Sequence, residues 1–174
     1  MREKASEWQP HGQRMLENKE LFGKLSPAER GKLYLVLGKT RHEHNDFTRA
    51  LEVSESALEE LKIAHPDGNH LDIAAALNAV GENLFYLERY KEALPKFEEG
   101  FIIRNNYYEK KDHPDLAESL SNVGASLFQC ALSLDDKADA LKWGKNALEM
   151  WERLCEGKDH PGYARSLNNV GCYL

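Results

Sequence analysis

No stretch of this 174-residue chain is apolar enough to cross a bilayer. The longest run without a charge, Ser119–Leu134, has sixteen residues and carries four serines, an asparagine and a glutamine. A spanning helix needs about 20 predominantly apolar residues. Positive charge is in deficit, 23 Lys and Arg against 29 Asp and Glu. The net −6 excludes general nucleic-acid binding, which needs a basic surface. There is no basic amphipathic helix for a membrane surface either. Cysteine is scarce: Cys130, Cys155 and Cys172 are an odd number at scattered spacings, which predicts reduced thiols rather than a disulfide framework. No Asn-x-Ser/Thr acceptor occurs and the first residues, MREKASEWQP, hold no apolar core, so the expected location is cytoplasmic. Phosphate-cradling glycine loops, Gly-x-Ser-x-Gly elbows and His-Glu-x-x-His metal motifs are all missing. No catalytic residue, cofactor or metal site is therefore expected.

What the chain does have is repetition. Leu77–Gly81 reads LNAVG, Leu120–Gly124 reads LSNVG and Leu167–Gly171 reads LNNVG, with a weaker echo, LYLVLG, over Leu33–Gly38. The glycines are spaced 43, 43 and 47 residues apart. A period in this range marks an array of small supersecondary units, each of which buries its apolar face against its neighbours.

Taken in order, residues 1–25 read as a degenerate capping segment. Trp8 and Met15 partly echo the repeat, Pro10 and Gly12 interrupt it, and Leu16, Leu21, Phe22 and Leu25 are expected to cover the first unit. Ser26-Pro27-Ala28-Glu29 predicts a helix start with a capping box and proline at the first helical position. Asn45-Asp46 predicts a turn. Phe47, Ala50, Leu51, Leu58 and Leu61 form an apolar stripe at helical spacing, and Pro66-Asp67-Gly68 closes the unit as a loop. The array then spans 26–174, in units of about 27–69, 70–112 and 113–159 and the first helix of a fourth, 160–174. Gly38 to Ala50 and Gly81 to Ala93 are twelve residues each, but Gly124 to Ala140 is sixteen. Four residues are nearly one helical turn, so the first helix of the third unit is expected to lengthen through Cys130–Leu134, with Asp135 or Asp136 capping the next. His42-Glu43-His44 reads as a polar helix end, since side chains two apart point to different sides. His70, His113 and His160, at matching positions before each first helix, read as structural residues of the inter-unit turn.

These spacings resemble the tetratricopeptide repeat, a helix–turn–helix unit with a small residue where its two helices cross. About nine residues beyond the usual period, with His-Pro-Asp ahead of an Asn-bearing helix, make the resemblance one to the kinesin light chain type of repeat. It implies an all-α fold, an α-solenoid of helix–turn–helix repeats forming a right-handed superhelix. It also implies that the first helices line a concave groove holding a peptide or helix of a partner protein. Carried over by position, the groove residues are Lys32, Lys39 and His42 in the first unit, with Leu35, Val36 and Glu43 beside them. In the second they are Asn78, Glu82, Phe85 and Tyr86, with Ala75 and Ala79. The third gives Asn122, Phe128 and Gln129, with Glu118, Ser121 and Ala125, and the fourth begins with Arg165, Asn168 and Asn169.

An asparagine amide offers donors and an acceptor to a peptide backbone, and Phe85, Tyr86 and Phe128 could form apolar pockets or simply pack between helices. The carboxylate clamp of chaperone-binding relatives is not expected: Lys32 fits it, whereas Val36, Ala79 and Glu118 do not. The expected function is a non-enzymatic protein-interaction module. The alternative is a structural, regulatory or self-associating segment of a larger protein, because Leu167, Val170 and Tyr173 would leave an uncovered face at the C-terminal end.

Overall fold

The computed structural model describes residues 19–156 and 160–174, and among them regular structure is entirely helical. The elements are α1 (Lys19–Lys24), α2 (Pro27–Glu43), α3 (Phe47–Ala64), α4 (Leu71–Tyr86), α5 (Tyr90–Tyr107), α6 (Pro114–Cys130), α7 (Leu134–Cys155) and α8 (Pro161–Tyr173). They fall into two compact units that divide between Leu87 and Glu88. No helix of the described residues is long and apolar enough to cross a membrane. Trp8, Pro10, Gly12, Met15 and Leu16 lie outside the described residues.

In the first unit α2 starts as expected. Ser26 accepts the Glu29 amide through its Oγ while Glu29 Oε2 accepts the Ser26 amide at 2.8 Å, and Pro27 opens the helix. The chain turns through Asn45 at φ 60° and Asp46, whose carboxylate accepts the Arg49 amide. Next, α2 packs antiparallel on α3, and α3 on α4. Gly38 keeps the first crossing close: a Cβ there would sit 2.9 Å from Ser54 Oγ, which would have to move. Ala50, Ala57, Leu58, Leu61, Ile73, Ala74 and Leu77 fill the interior, each large side chain contributing about 1.5–3 kcal/mol by leaving water. Of the expected cap, Phe22 meets the Tyr34 ring edge-on at 5.7 Å, whereas Leu21 is exposed.

In the second unit α5 packs on α6, α6 on α7 and α7 on α8. Helix α5 continues through Pro95, which has no N–H to give the Lys91 carbonyl. A buried cation ties α5 to α6: Arg104 Nη1 donates to Ser119 Oγ at 2.7 Å and to the Asp115 carbonyl at 3.0 Å. Leu116, Ala117, Leu120, Ala147, Met150 and Trp151 form the core. At Gly124 a Cβ would lie 3.2 Å from the Ala140 carbonyl and the Gly144 amide nitrogen, so the α6–α7 crossing uses the same device as α2–α3.

The four extra residues before Ala140 do not lengthen the first helix as expected. Helix α6 ends at Cys130, one residue later relative to its glycine than α2 does, and three of the additions extend the start of α7. The cap is neither Asp135 nor Asp136 but Ser133. Its Oγ accepts the Asp136 amide at 3.1 Å, while Asp136 Oδ2 accepts the Leu132 and Ser133 amides at 3.0 Å each. Three otherwise orphaned donors satisfied at one point outweigh another half turn of α6.

Candidate functional site

Each inter-unit turn ends in a histidine that does one local job. His70, His113 and His160 are the N-caps of α4, α6 and α8, and the Nδ1 of each accepts the amide two residues on, at 3.1, 3.2 and 3.0 Å. Each imidazole also stacks on a ring from the end of the preceding second helix: His65 at 3.6 Å, Tyr108 at 3.8 Å and Trp151 at 4.4 Å between centroids. Burial, then the hydrogen bond it donates to Asp115, pushes the Tyr108 phenol up to about 12.

In the first unit, stacking brings together a group the sequence reading missed: His65, His70 and Asp72 have potential metal-ligand atoms within 4.8 Å of one another. The imidazole planes are parallel within 4°, so their in-plane lone pairs lie side by side rather than converging on one ion. His70 Nδ1 is already taken by the cap, and the Lys32 ammonium lies 3.4 Å from Asp72 Oδ2.

On the first helices of this unit, His42 has a structural partner. Its Nδ1 is 2.9 Å from Asn83 Oδ1, and Asn83 Nδ2 donates to the Ala79 carbonyl at 2.8 Å and to Ser54 Oγ at 3.3 Å, joining α2, α3 and α4 through one buried amide. The His42 ring also meets Tyr86 edge-on at 5.0 Å, and Tyr86 stacks on Phe47 at 4.7 Å. Asn78 is buried and donates to Glu82 Oε1 at 2.9 Å. Lys39 is exposed, Phe85 is half-buried, and Val36 and Tyr86 are 55 % and 57 % exposed. His42 and His44 do not share a ligand position, since His44 Nδ1 pairs with the Thr40 carbonyl.

In the second unit Phe128 packs between helices: it stacks on Tyr173 of α8 at 4.7 Å, with Lys137 Nζ 5.7 Å from its ring. Asn122 and Asn169 are half-buried and Gln129 is exposed. Arg165 donates to Glu118 Oε1 at 2.8 Å, so these two positions of opposite charge, both expected on the groove, are paired with each other. Burial raises the Cys130 thiol against the lowering field of Lys91, which disfavours the reactive thiolate.

Asn83 was absent from the expected site, though a signal for it exists. It stands two residues after its glycine, as do Thr40, Ser126 and Tyr173, and all four are buried. A polar-capable side chain at one fixed place in every first helix is visible in the spacing.

A sequence model of the tetratricopeptide repeat matches residues 73–115 and 116–162, more than half of the chain. The chain belongs to the tetratricopeptide repeat family. No curated protein matches the sequence. Among solved structures, BtubC (BKLC) from P. vanneervenii superposes with a TM-score of 0.74 at 18 % identity, over 99 % of this chain and 64 % of that one. Nearly identical TPR-like repeats from Podosopora anserina, named for a kinesin light chain, give 0.67 at 15 % identity over 98 % and 82 %. A MamA RS-1 double mutant gives 0.55 at 17 % identity over 98 % and 94 %. The tetratricopeptide fold, of kinesin light chain-like type, is therefore shared, and it commonly serves protein–protein interaction and is typically non-enzymatic.

Proposed function

We propose that the chain is a non-enzymatic module that binds a peptide or helix of another protein along the first helices of its repeats. The observation that carries this reading is the pair Val36 and Tyr86, both large, more than half exposed, and on the first helices α2 and α4 of one unit. Around them stand Lys32, Lys39 and Glu82, a mixed charge that suits a ligand with both signs. Asn78 could serve such a ligand by exchanging its bond to Glu82 for one to a peptide backbone. In the second unit, taken by itself, the positions proposed for ligand contact are Asn122, Gln129, Arg165 and Asn169, while Phe128 stabilises the packing of α6 on α8. Crosslinking in lysate followed by mass spectrometry would identify the partner. Titration of that partner should then weaken about tenfold or more for Asn78→Ala with Asn122→Ala, or for Tyr86→Ala, at unchanged helical content. Unaltered affinity in both variants would remove the first helices from the reading.

A second reading, self-association, keeps only part of its expected surface: Leu167 of α8 is 52 % exposed, with open space where a Gly171 Cβ would point, whereas Val170 and Tyr173, expected on the same uncovered face, are buried at 8 % and 9 % by packing within the unit. An exposed leucine at the face of a repeat suits cover by a second copy. Light scattering tests the second copy: a strict monomer at high concentration counts against it.

A further inference from the structure

The second unit has a recess lined by the second helices α5 and α7 together with the first helix α6. Phe101 of α5 and Trp143 of α7 meet edge-on with centroids 5.1 Å apart. With Leu120 and Leu127 of α6 they line a cavity of about 400 Å³. Glu98 and Asp139 flank it, with Lys142 as the single opposing charge. These three are exposed, and none forms a hydrogen bond or ion pair among the described residues.

We propose that this recess takes a basic side chain, arginine in preference to lysine, presented by a partner protein. Two carboxylates against one ammonium give the recess a negative balance, which repels an anionic ligand. A purely apolar side chain would desolvate Glu98 and Asp139 without compensating either. A guanidinium satisfies both demands: its plane rests on an indole or phenyl face, and its fork reaches a carboxylate at the rim. Its three-carbon stem covers the leucines beneath. Lysine would keep the charge but lose the planar stacking and the fork. The inference does not depend on what the first helices bind.

The test is a titration of the ¹⁵N-labelled full chain with the capped tripeptide acetyl-Gly-Arg-Leu-amide and with its citrulline counterpart, which keeps the shape and removes the charge. The expected result is a saturable shift of the Trp143 indole N–H, assigned through Trp143→Phe, while the buried Trp151 indole stays in place. Citrulline should weaken binding about tenfold, and so should Glu98→Gln with Asp139→Asn, at unchanged circular dichroism. Equal binding of the citrulline peptide, shifts at Val36 and Tyr86 instead of Trp143, or no saturable shift at millimolar peptide would each overturn the proposal.

Discussion

Asn83 and Ser126 occupy the same place in successive first helices, two residues after the crossing glycine, yet the structure gives them opposite roles. Replacing Asn83 by Ala removes the acceptor of His42 and the donor to Ser54. Ser54 is wholly buried, so losing its partner costs about 1 kcal/mol even though the bond is long at 3.3 Å. His42 is half-buried and water can replace part of its bond, which leaves about 0.5–1 kcal/mol. The missing amide leaves a gap among buried neighbours worth about 1 kcal/mol more. The total, about 2–3 kcal/mol, corresponds to a fall in melting temperature of about 5–10 °C for a chain of this size. Ser126 Oγ, in contrast, is buried with no hydrogen-bond partner. Ser126→Ala removes an unsatisfied hydroxyl and should change stability by no more than about 0.5 kcal/mol, in the stabilising direction if at all. Urea titration and thermal melts of the two variants, followed by circular dichroism, measure both. Equal costs, or a larger cost for Ser126→Ala, would refute the claim that the buried amide joins three helices.

Other expectations follow from single contacts. Ser133→Ala should destabilise by about 1 kcal/mol, because it removes the cap of α7, and should raise amide exchange over the first turn of that helix. Pro95→Ala should stabilise by up to about 3 kcal/mol, read as a higher urea midpoint, since it restores an interior helix bond at an exposed position. The Arg153 hydrogen bond, ahead of its coulombic field, holds the Asp112 carboxyl below its usual range. A carboxylate with a depressed folded value stabilises above its unfolded value and loses that contribution as pH falls through the folded one, hence below about pH 4. Asp112→Asn should accordingly flatten the acid limb of the stability curve and cost no more than about 0.5 kcal/mol at neutral pH, because the pair is largely exposed.

The repeat was legible because close helix crossing tolerates few residues: Gly38 opposite Ala50 and Ser54, and Gly124 opposite Ala140 and Gly144, force small side chains at fixed intervals. Ser26 and Glu29 were legible for a similar reason, since a capping box needs two named residues three apart. The longer connection after Gly124 was misread because helical phase says nothing about which helix absorbs added residues. Ser133 decided that, through a bond pattern that an adjacent run of aspartates obscured. The rings stacked on the capping histidines escaped notice because His65, Tyr108 and Trp151 are chemically unlike, although each fills the same geometric role. Of the residues expected on the groove, His42 and Phe128 have partners within the fold that only the packing reveals. Val36 and Tyr86 are more than half exposed, Tyr86 while stacked on Phe47.

The most direct measurement of the central claim places a photo-crosslinking residue at Val36, Tyr86 or Gln129 on the first helices, and at Glu52 or Glu55 on the exposed side of α3. The account predicts adducts of one partner from the first three positions and none from the last two. Equal adducts from all five, or adducts from Glu52 and Glu55 alone, would contradict it.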